Sequence, residues 1–301
     1  MPIHTDRIQA GPSVDLDRLS GVLERFRVRA QLHHAGALCG LSHFDAREGH
    51  GYLHLLRRGS LEVSHPGTRG DVPRSMRFDE PALLLYPRPL THRFHNPPAQ
   101  ESDFTCARLL FDGGAYNPLA RALPAVIALP LARVSGLDLA LELLFAETDR
   151  VRCGQRVLAD RLFEVVVIQL LRWLLDHPRE AGVRPGFITG LSDRRLARAL
   201  VAMHDAPGEP WPLERMARHA GMSRTAFANT FRDVVGQTPA DYLSDWRMAL
   251  ARSRLREGQP VKLLADELGY ANPSALSRAF AAKVGMSPRQ WMAQAAAHAD
   301  E

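Results

Sequence analysis

The chain has almost no lysine and little cysteine. Of its 38 basic residues only Lys262 and Lys283 are lysine, and the rest are arginine. Arginine presents a planar, permanently charged fork that fits phosphate and guanine, although a GC-rich genome enriches it too. The three cysteines, Cys39, Cys106 and Cys153, stand far apart with no Cys-x-x-Cys pair. That argues against a disulfide framework and a zinc finger, and for a reducing compartment. No apolar run approaches membrane-spanning length, and Met1 to Ser13 carries no secretory pattern, so a soluble cytoplasmic protein is expected. What is present is ordinary for globular chains: 301 residues, 46% hydrophobic, 24% charged and a net charge of +5, enough for two domains with cores.

One stretch occurs twice. Ala217 to Tyr242 returns as Ala265 to Trp291. Early matches lie 48 residues apart (Leu213 with Val261, Ala217 with Ala265, Gly221 with Gly269). Later ones lie 49 apart (Phe227 with Leu276, Phe231 with Phe280, Gly236 with Gly285, Pro239 with Pro288, Tyr242 with Trp291), so the second turn holds one extra residue.

Each copy has the grammar of a helix-turn-helix: a short helix stops at a glycine, and a second starts on a capping residue a few positions later. In the first copy Leu213, Met216, Ala217 and Ala220 make one face, Gly221 permits the turn, and Ser223 caps the next helix. Ala226, Phe227, Thr230, Phe231 and Val234 then point inward, leaving Arg224, Thr225, Ala228, Asn229 and Arg232 outward. In the second copy Asn272 caps, Pro273 takes the first helical position, and Leu276, Phe280 and Val284 point in. Ser274, Ser277 and Arg278 point out. Both copies stop at a glycine and lead into a further helix at Thr238-Pro239 and Ser287-Pro288, the latter with Gln290 completing a capping box.

The segment from about Leu191 to Trp291 resembles the DNA-binding domain of AraC/XylS-type bacterial transcription regulators. The resemblance rests on G-Y-A-N-P-S-A-L-S-R-A-F-A-A-K-V-G-M-S-P-R-Q-W (Gly269 to Trp291) and on W-R-M-A-L-A-R (Trp246 to Arg252). Leu276 stands where the family usually has Phe, and Asn272 where Ser is commoner; both substitutes do the same packing or capping work. The resemblance implies a double-stranded promoter as partner, RNA polymerase contact, a small-molecule effector and an activator more than a repressor. Base contacts are expected from Arg224, Thr225, Ala228 and Asn229 and from Ser274, Ser277 and Arg278, and phosphate contacts from Arg232, Arg247 and Lys283. The helix between the copies, Pro239 to Glu257, has 19 residues and spans about 28 Å. That approaches the roughly 34 Å between successive major grooves on one side of B-DNA.

Upstream the pattern changes. Asp15 to Arg29 predicts an amphipathic helix capped by Asp15, with Leu16, Leu19, Val22, Leu23 and Phe26 as its stripe. From Gln31 to Phe111 short strands alternate with glycine and proline, which suggests an antiparallel barrel or jelly roll. H-L-L-R-R-G-S-L-E-V (His54 to Val63) and L-L-Y-P-R-P-L-T-H-R-F (Leu84 to Phe94) resemble the cupin-type N-terminal domain of one AraC-type subgroup. Of the cupin metal motifs the second is half present in Pro87, His92 and Asn96, while Tyr52 replaces the expected Glu of the first and its His-x-His pair is missing. No metal cofactor is therefore expected. Zinc at His54, His92, His95 and Cys106 stands as the alternative to hydrogen-bonded core roles for these residues. Tyr52, His54, Tyr86, His92 and Arg108 are the candidate effector-cavity residues.

Leu137 to Thr148 and Gln155 to Asp176 predict two helices, the second apolar almost all round. Such a helix needs two partners. These are its own barrel and either a second subunit, giving a homodimer, or other parts of the monomer. His177 to Gly190 is rich in Pro and Gly and reads as a linker. The expected architecture is α+β: a cupin-like antiparallel β-barrel with a helical dimerisation segment (1–177), a linker (178–190) and an all-α tandem helix-turn-helix domain (191–301). The competing readings are a cupin-type metal enzyme with an accessory DNA-binding domain, and a DNA-binding protein whose barrel only dimerises. The absent first metal motif, and the lack of a Ser-His-Asp or phosphate-loop pattern, favour a non-enzyme.

Overall fold

The structure, a computed structural model, describes residues 16–68, 70–96 and 102–297. Asp15, the expected first cap, lies outside them. The first helix is shorter than its stripe predicts: α1 spans Ser20–Arg25, and the Asp17 carboxylate accepts from the N–H of Leu19 and Ser20 at 3.0 Å. From Val28 the chain is already strand β1 (Val28–Leu38), because it pairs along its length with β8 (Ser102–Phe111). A long antiparallel ladder overrides a local helical period.

Nine antiparallel strands form two sheets among the described residues. The larger has the order β1-β8-β3-β6-β9 and adds β3 (Gly51–Arg58), β6 (Ala82–Tyr86) and β9 (Ile127–Pro130). The smaller, in the order β2-β7-β4-β5, holds β2 (Gly40–Phe44), β4 (Leu61–Ser64), β5 (Ser75–Phe78) and β7 (His92–Asn96). The expected β-barrel is thereby overturned: the sheets face each other as an open sandwich, and neither closes. The outer edge of β1 is occupied by a helix instead of a strand. On α4 (Gln155–Asp176), Asp160 Oδ1 accepts from Leu32 N–H at 2.6 Å and Glu164 Oε1 from Ala30 N–H at 3.4 Å. The opposite edge, β9, is four residues long and ends at Pro130, a residue that cannot extend a ladder.

The larger sheet is covered on both faces, so β3 and β6 read as unbroken apolar runs. Alternation still sorts them. Tyr52, Leu56, Leu84 and Tyr86 face the smaller sheet with Phe44, Val63 and Phe94, while Leu53, Leu55, Leu83 and Leu85 face the helices. α2 (Pro118–Ala122) is capped by the buried Asn117, whose Oδ1 accepts from Leu119 and Ala120 N–H. α4 lies on β1 and against α3 (Asp138–Thr148), burying Phe163, Val166, Leu170 and Trp173. Each of these two helices also leaves an apolar ridge outside: Leu139 and Leu143 on α3, Leu158 and Val165 on α4.

Residues 178–186 turn without regular helix, and α5 (Phe187–Ser192) already begins inside the expected linker. The C-terminal half continues as α6 (Arg194–Asp205), α7 (Leu213–Ala220), α8 (Arg224–Val235), α9 (Pro239–Arg256), α10 (Val261–Glu267), α11 (Pro273–Val284) and α12 (Pro288–Ala297). The halves share one continuous apolar core. Phe26, just past α1, packs edge-on to Trp246 of α9. Arg18 bridges Asp176 at 3.0 Å and the Leu191 carbonyl at 3.2 Å. Among the described residues no helix is long and apolar enough to cross a membrane.

Candidate nucleic-acid interface

The geometry of α7 to α12 follows from the residues that start and stop each helix. α7 ends at Gly221 in the left-handed region (φ 64°, ψ 41°), and the Ser223 hydroxyl accepts from Ala226 N–H to start α8. Thr238 caps α9 through Asp241 N–H, and Pro239 fills its first turn. Asn272 Oδ1 accepts from Ala275 N–H at 2.9 Å to start α11. Ser287 and Gln290 exchange bonds in a capping box, Ser287 N–H to Gln290 Oε1 at 2.8 Å and Gln290 N–H to Ser287 Oγ at 3.3 Å.

These caps fix which residues face outward. On α8, Phe227 and Phe231 are fully buried, and Arg224, Thr225, Asn229 and Arg232 are exposed, with Ala228 half-buried. On α11, Leu276 and Phe280 are fully buried, Ser274 and Arg278 are exposed, and Ser277 is half-buried. Among the described residues the side chains of Asn229, Arg232 and Arg278 have no hydrogen-bond or ion-pair partner, so their donors are available to a ligand. Three other expected contact residues are engaged within the protein. Arg224 pairs with Glu214 of α7. Lys283 pairs with Asp245 of α9 at 2.8 Å. Arg247 donates from Nε to the Pro207 carbonyl at 2.7 Å and from Nη2 to that of Glu209 at 3.1 Å, tying α9 to the turn before α7. Glu214 escaped the sequence reading because a ten-residue separation across a turn has no periodic signature.

The two motifs touch at a point the repeat did not reveal. A Cβ placed on Gly269 (φ +73°) would lie 2.1 Å from the Gly208 carbonyl oxygen, and one on Gly208 would lie 2.4 Å from that of Glu267. The turn before the first motif therefore sits directly on the turn inside the second. With α9 buried along Tyr242, Leu243, Trp246, Met248 and Leu250, this contact fixes how the two outward rows are disposed.

The N-terminal candidates separate into two groups. Tyr52, His54, Tyr86 and His92 come together between the sheets and stack on one another. The Tyr86 and His92 rings lie 3.9 Å apart by centroid, and Tyr52 and His54 5.2 Å apart. Arg108 lies at the rim, 3.7 Å from Glu48, whose carboxylate also accepts from the Tyr52 hydroxyl at 2.7 Å. Burial, then that bond, pushes Tyr52 up to about 12.

The proton positions in the stack follow from its acceptors. The Leu90 carbonyl lies 2.7 Å from His92 Nδ1, so that nitrogen carries the proton and His92 Nε2 accepts. His54 Nε2–H then donates to it at 2.9 Å, which leaves His54 Nδ1 a buried lone pair with no partner. Burial holds His92 down to about 4 and His54 well below its ordinary value. His95 lies on the other face of β7, against Ser64 Oγ at 2.8 Å, and cannot join His54 and His92. Cys106 is the cross-strand neighbour of His54. Among the described residues no group of three or more His, Cys, Asp or Glu stands close enough to hold a metal ion.

Comparison with known proteins agrees with this geometry. A family model described as Cupin matches residues 17–176, more than half of the chain, and a helix-turn-helix domain model matches residues 216–294. A putative AraC-like transcription regulator of Streptomyces lividans is 32% identical over 300 residues, covering 91% of this chain and 97% of that protein. The HTH-type transcriptional regulator AlkR of Acinetobacter baylyi is 32% identical over 183 residues, 59% of each chain, so the match spans under two thirds of AlkR's length. A crystal structure of an AraC-type transcriptional regulator from Chromobacterium violaceum is similar over 35% of this chain and 95% of that one, with 24% identity and a TM-score of 0.33. The chain belongs to the AraC-like transcription regulators, a cupin half joined to a tandem helix-turn-helix.

Proposed function

We propose that this protein is a small-molecule-responsive activator that reads two neighbouring major-groove segments of a promoter with one polypeptide. The observation that supports this is the pair of matched helices, α8 and α11, with unengaged donors on the outward side of each. α9, between them, has 18 residues and spans about 27 Å. A modest tilt of the helices or bend of the DNA covers the difference from the roughly 34 Å groove repeat.

In this reading Asn229 pairs with adenine, Arg278 and Arg224 with guanine, and Thr225, Ala228, Ser274 and Ser277 shape the fit to neighbouring bases. Arg224 must first leave Glu214, an exposed pair of the kind that costs little to break. Arg232 takes phosphate, while Arg247 and Lys283 act mainly by holding the motifs on α9. The cupin half (1–177) carries the effector response, residues 178–190 pass it on, and 191–301 bind promoter DNA beside RNA polymerase in the cytoplasm. The work is binding, not catalysis. A homodimer would cover the ridges of Leu139, Leu143, Leu158 and Val165.

Selecting a bound sequence from random duplexes and footprinting it tests the reading. Protection of two segments one helical turn apart is the expected result; protection of a single groove, or of none, overturns it. Light scattering at high concentration tests the dimer, and a persistent monomer rejects it.

A further inference from the structure

α5 is six residues long, yet it touches both halves of the chain. On one side it meets α2 and α4 of the cupin half, and its Leu191 carbonyl accepts from Arg18, which also bridges Asp176 at the end of α4. On the other side it lies against α6 and the C-terminal end of α8. The packing there is close. A Cβ placed on Gly190 would lie 3.0 Å from Val235 Cγ2 and 2.8 Å from Leu200 Cδ1.

The last four carbonyls of a helix have no partner within the helix. In α8 one of them, that of Val234, is met from α5. Gly186 N–H lies 3.1 Å from it and the Thr189 hydroxyl 2.8 Å. Gly186 N–H is closer to Thr189 Oγ1, at 2.7 Å, so the hydroxyl oxygen accepts it. The single hydroxyl proton has two carbonyls in reach, Gly186 at 2.9 Å and Val234 at 2.8 Å. The Gly186 carbonyl already accepts from Gly190 N–H at 2.9 Å, so the proton goes to Val234.

The second motif has no such clasp. The counterpart of Val234, 49 residues on, is Lys283. Among the described residues no donor from a separate segment reaches the Lys283 carbonyl. Two copies of one unit therefore differ at the end of the outward-facing helix: the first is held from outside and the second is not.

We propose that Thr189 is a positioning residue for DNA reading. Its hydroxyl fixes the C-terminal end of α8 to α5, a platform that the cupin half also holds. It thereby sets how Asn229, about one and a half turns earlier on α8, enters its groove. α11 is placed without it. This rests on the two-groove reading above and gives that reading a residue whose loss affects one groove only.

The test uses the full chain and the selected operator. Thr189→Val keeps the side-chain shape and removes the hydroxyl, whereas Thr189→Ser keeps the hydroxyl. Thermal unfolding confirms that each variant folds, and Thr189→Ala takes the place of Thr189→Val if that variant does not. Asn229→Ala and Arg278→Ala assign the two operator segments. Thr189→Val is expected to weaken operator binding about fivefold, the scale of one hydrogen bond. It relaxes base preference in the Asn229 segment and leaves the Arg278 segment unchanged, and Thr189→Ser restores both affinity and preference. In double-mutant cycles Thr189→Val is non-additive with Asn229→Ala and additive with Arg278→Ala. Equal relaxation of both segments, additivity with both, failure of Thr189→Ser to rescue, or unaltered binding by a folded hydroxyl-free variant overturns the proposal. Deuterium exchange needs no DNA and separates the two readings. Thr189→Val speeds amide exchange in residues 234–237 severalfold and leaves 283–286 as they were. Unchanged exchange at the end of α8, in a protein that protects two operator segments, rejects the role of Thr189 alone. Selective exchange in a protein that protects one groove or none supports Thr189 as the anchor of α8 and rejects the two-groove reading.

Discussion

The ring of Phe26 meets that of Trp246 edge-on, with centroids 5.2 Å apart and planes at 68°. Phe26 follows α1 of the cupin half, and Trp246 lies at the middle of α9, so one aromatic pair joins the cupin half to the helix-turn-helix half. Phe187 and His204 stack on the same indole, at 6.1 and 3.9 Å. Phe26→Ala opens a cavity in a shared core and is expected to cost about 3–5 kcal/mol. Urea unfolding followed by Trp fluorescence checks this; a loss below about 1 kcal/mol would mean that the halves do not rely on this contact.

On the proposed reading, base contact and phosphate contact fall to different residues of the outward row of α8. Asn229→Ala should cost about 1–3 kcal/mol on the selected operator and relax preference at one base pair. Arg232→Ala should weaken all duplexes alike and reduce the salt dependence by about one phosphate contact. Fluorescence anisotropy against single-base operator variants, at several salt concentrations, distinguishes the two outcomes.

The contact between Gly208 and Gly269 leaves no room for a methyl group. Gly269→Ala also forces a side chain into the left-handed region (φ +73°), and the two effects together should cost about 2–4 kcal/mol. Gly258 is the control: its φ is +84°, but a Cβ there meets nothing within 4 Å. Gly258→Ala should cost only about 1 kcal/mol. Chemical unfolding of both variants at one pH checks the difference.

Three buried histidines set an acid limit. His204, bonded to the Tyr242 hydroxyl at 2.6 Å, is held down to about 3 by burial, then by the Arg25 charge; His92 is held to about 4, and His54 well below its ordinary value. All three are neutral in the fold, whereas the unfolded chain protonates them near 6.5. Their contribution is therefore complete above about pH 6.5 and is lost as pH falls toward about 4, at about 1.4 kcal/mol per pH unit for each histidine. Urea titrations at pH 7, 6 and 5 should show the decline, and His204→Gln should remove about one histidine's share of the slope. A flat profile would mean that water reaches these rings.

The tandem motifs were legible because their signals are local. Gly221, Ser223, Asn272, Pro273 and Ser287 determine starts and stops within a few residues, and the structure places a helix boundary at each. The same holds for α4, whose predicted bounds are those observed. What failed was non-local. Nothing near Leu32 announces that Asp160 will accept its N–H, so a closed barrel was expected where an open sandwich formed. The stripe through Phe26 looked helical beyond Arg25 because pairing with β8 is invisible from one strand alone. At the candidate site, outward positions on α8 and α11 could be counted, but the engagement of Arg224, Arg247 and Lys283 depends on partners across the fold.

The carboxylates of Asp160 and Glu164 on the edge of β1 also bear on how copies of this protein can meet. An uncovered outer strand invites another chain to extend the ladder indefinitely, the route to fibrils. Here the outward N–H groups of Ala30 and Leu32 are already taken by side chains, so a second copy gains nothing by aligning its backbone at that end of the strand. In the proposed homodimer, self-association instead uses the helical side, where contacts close after one partner has been added.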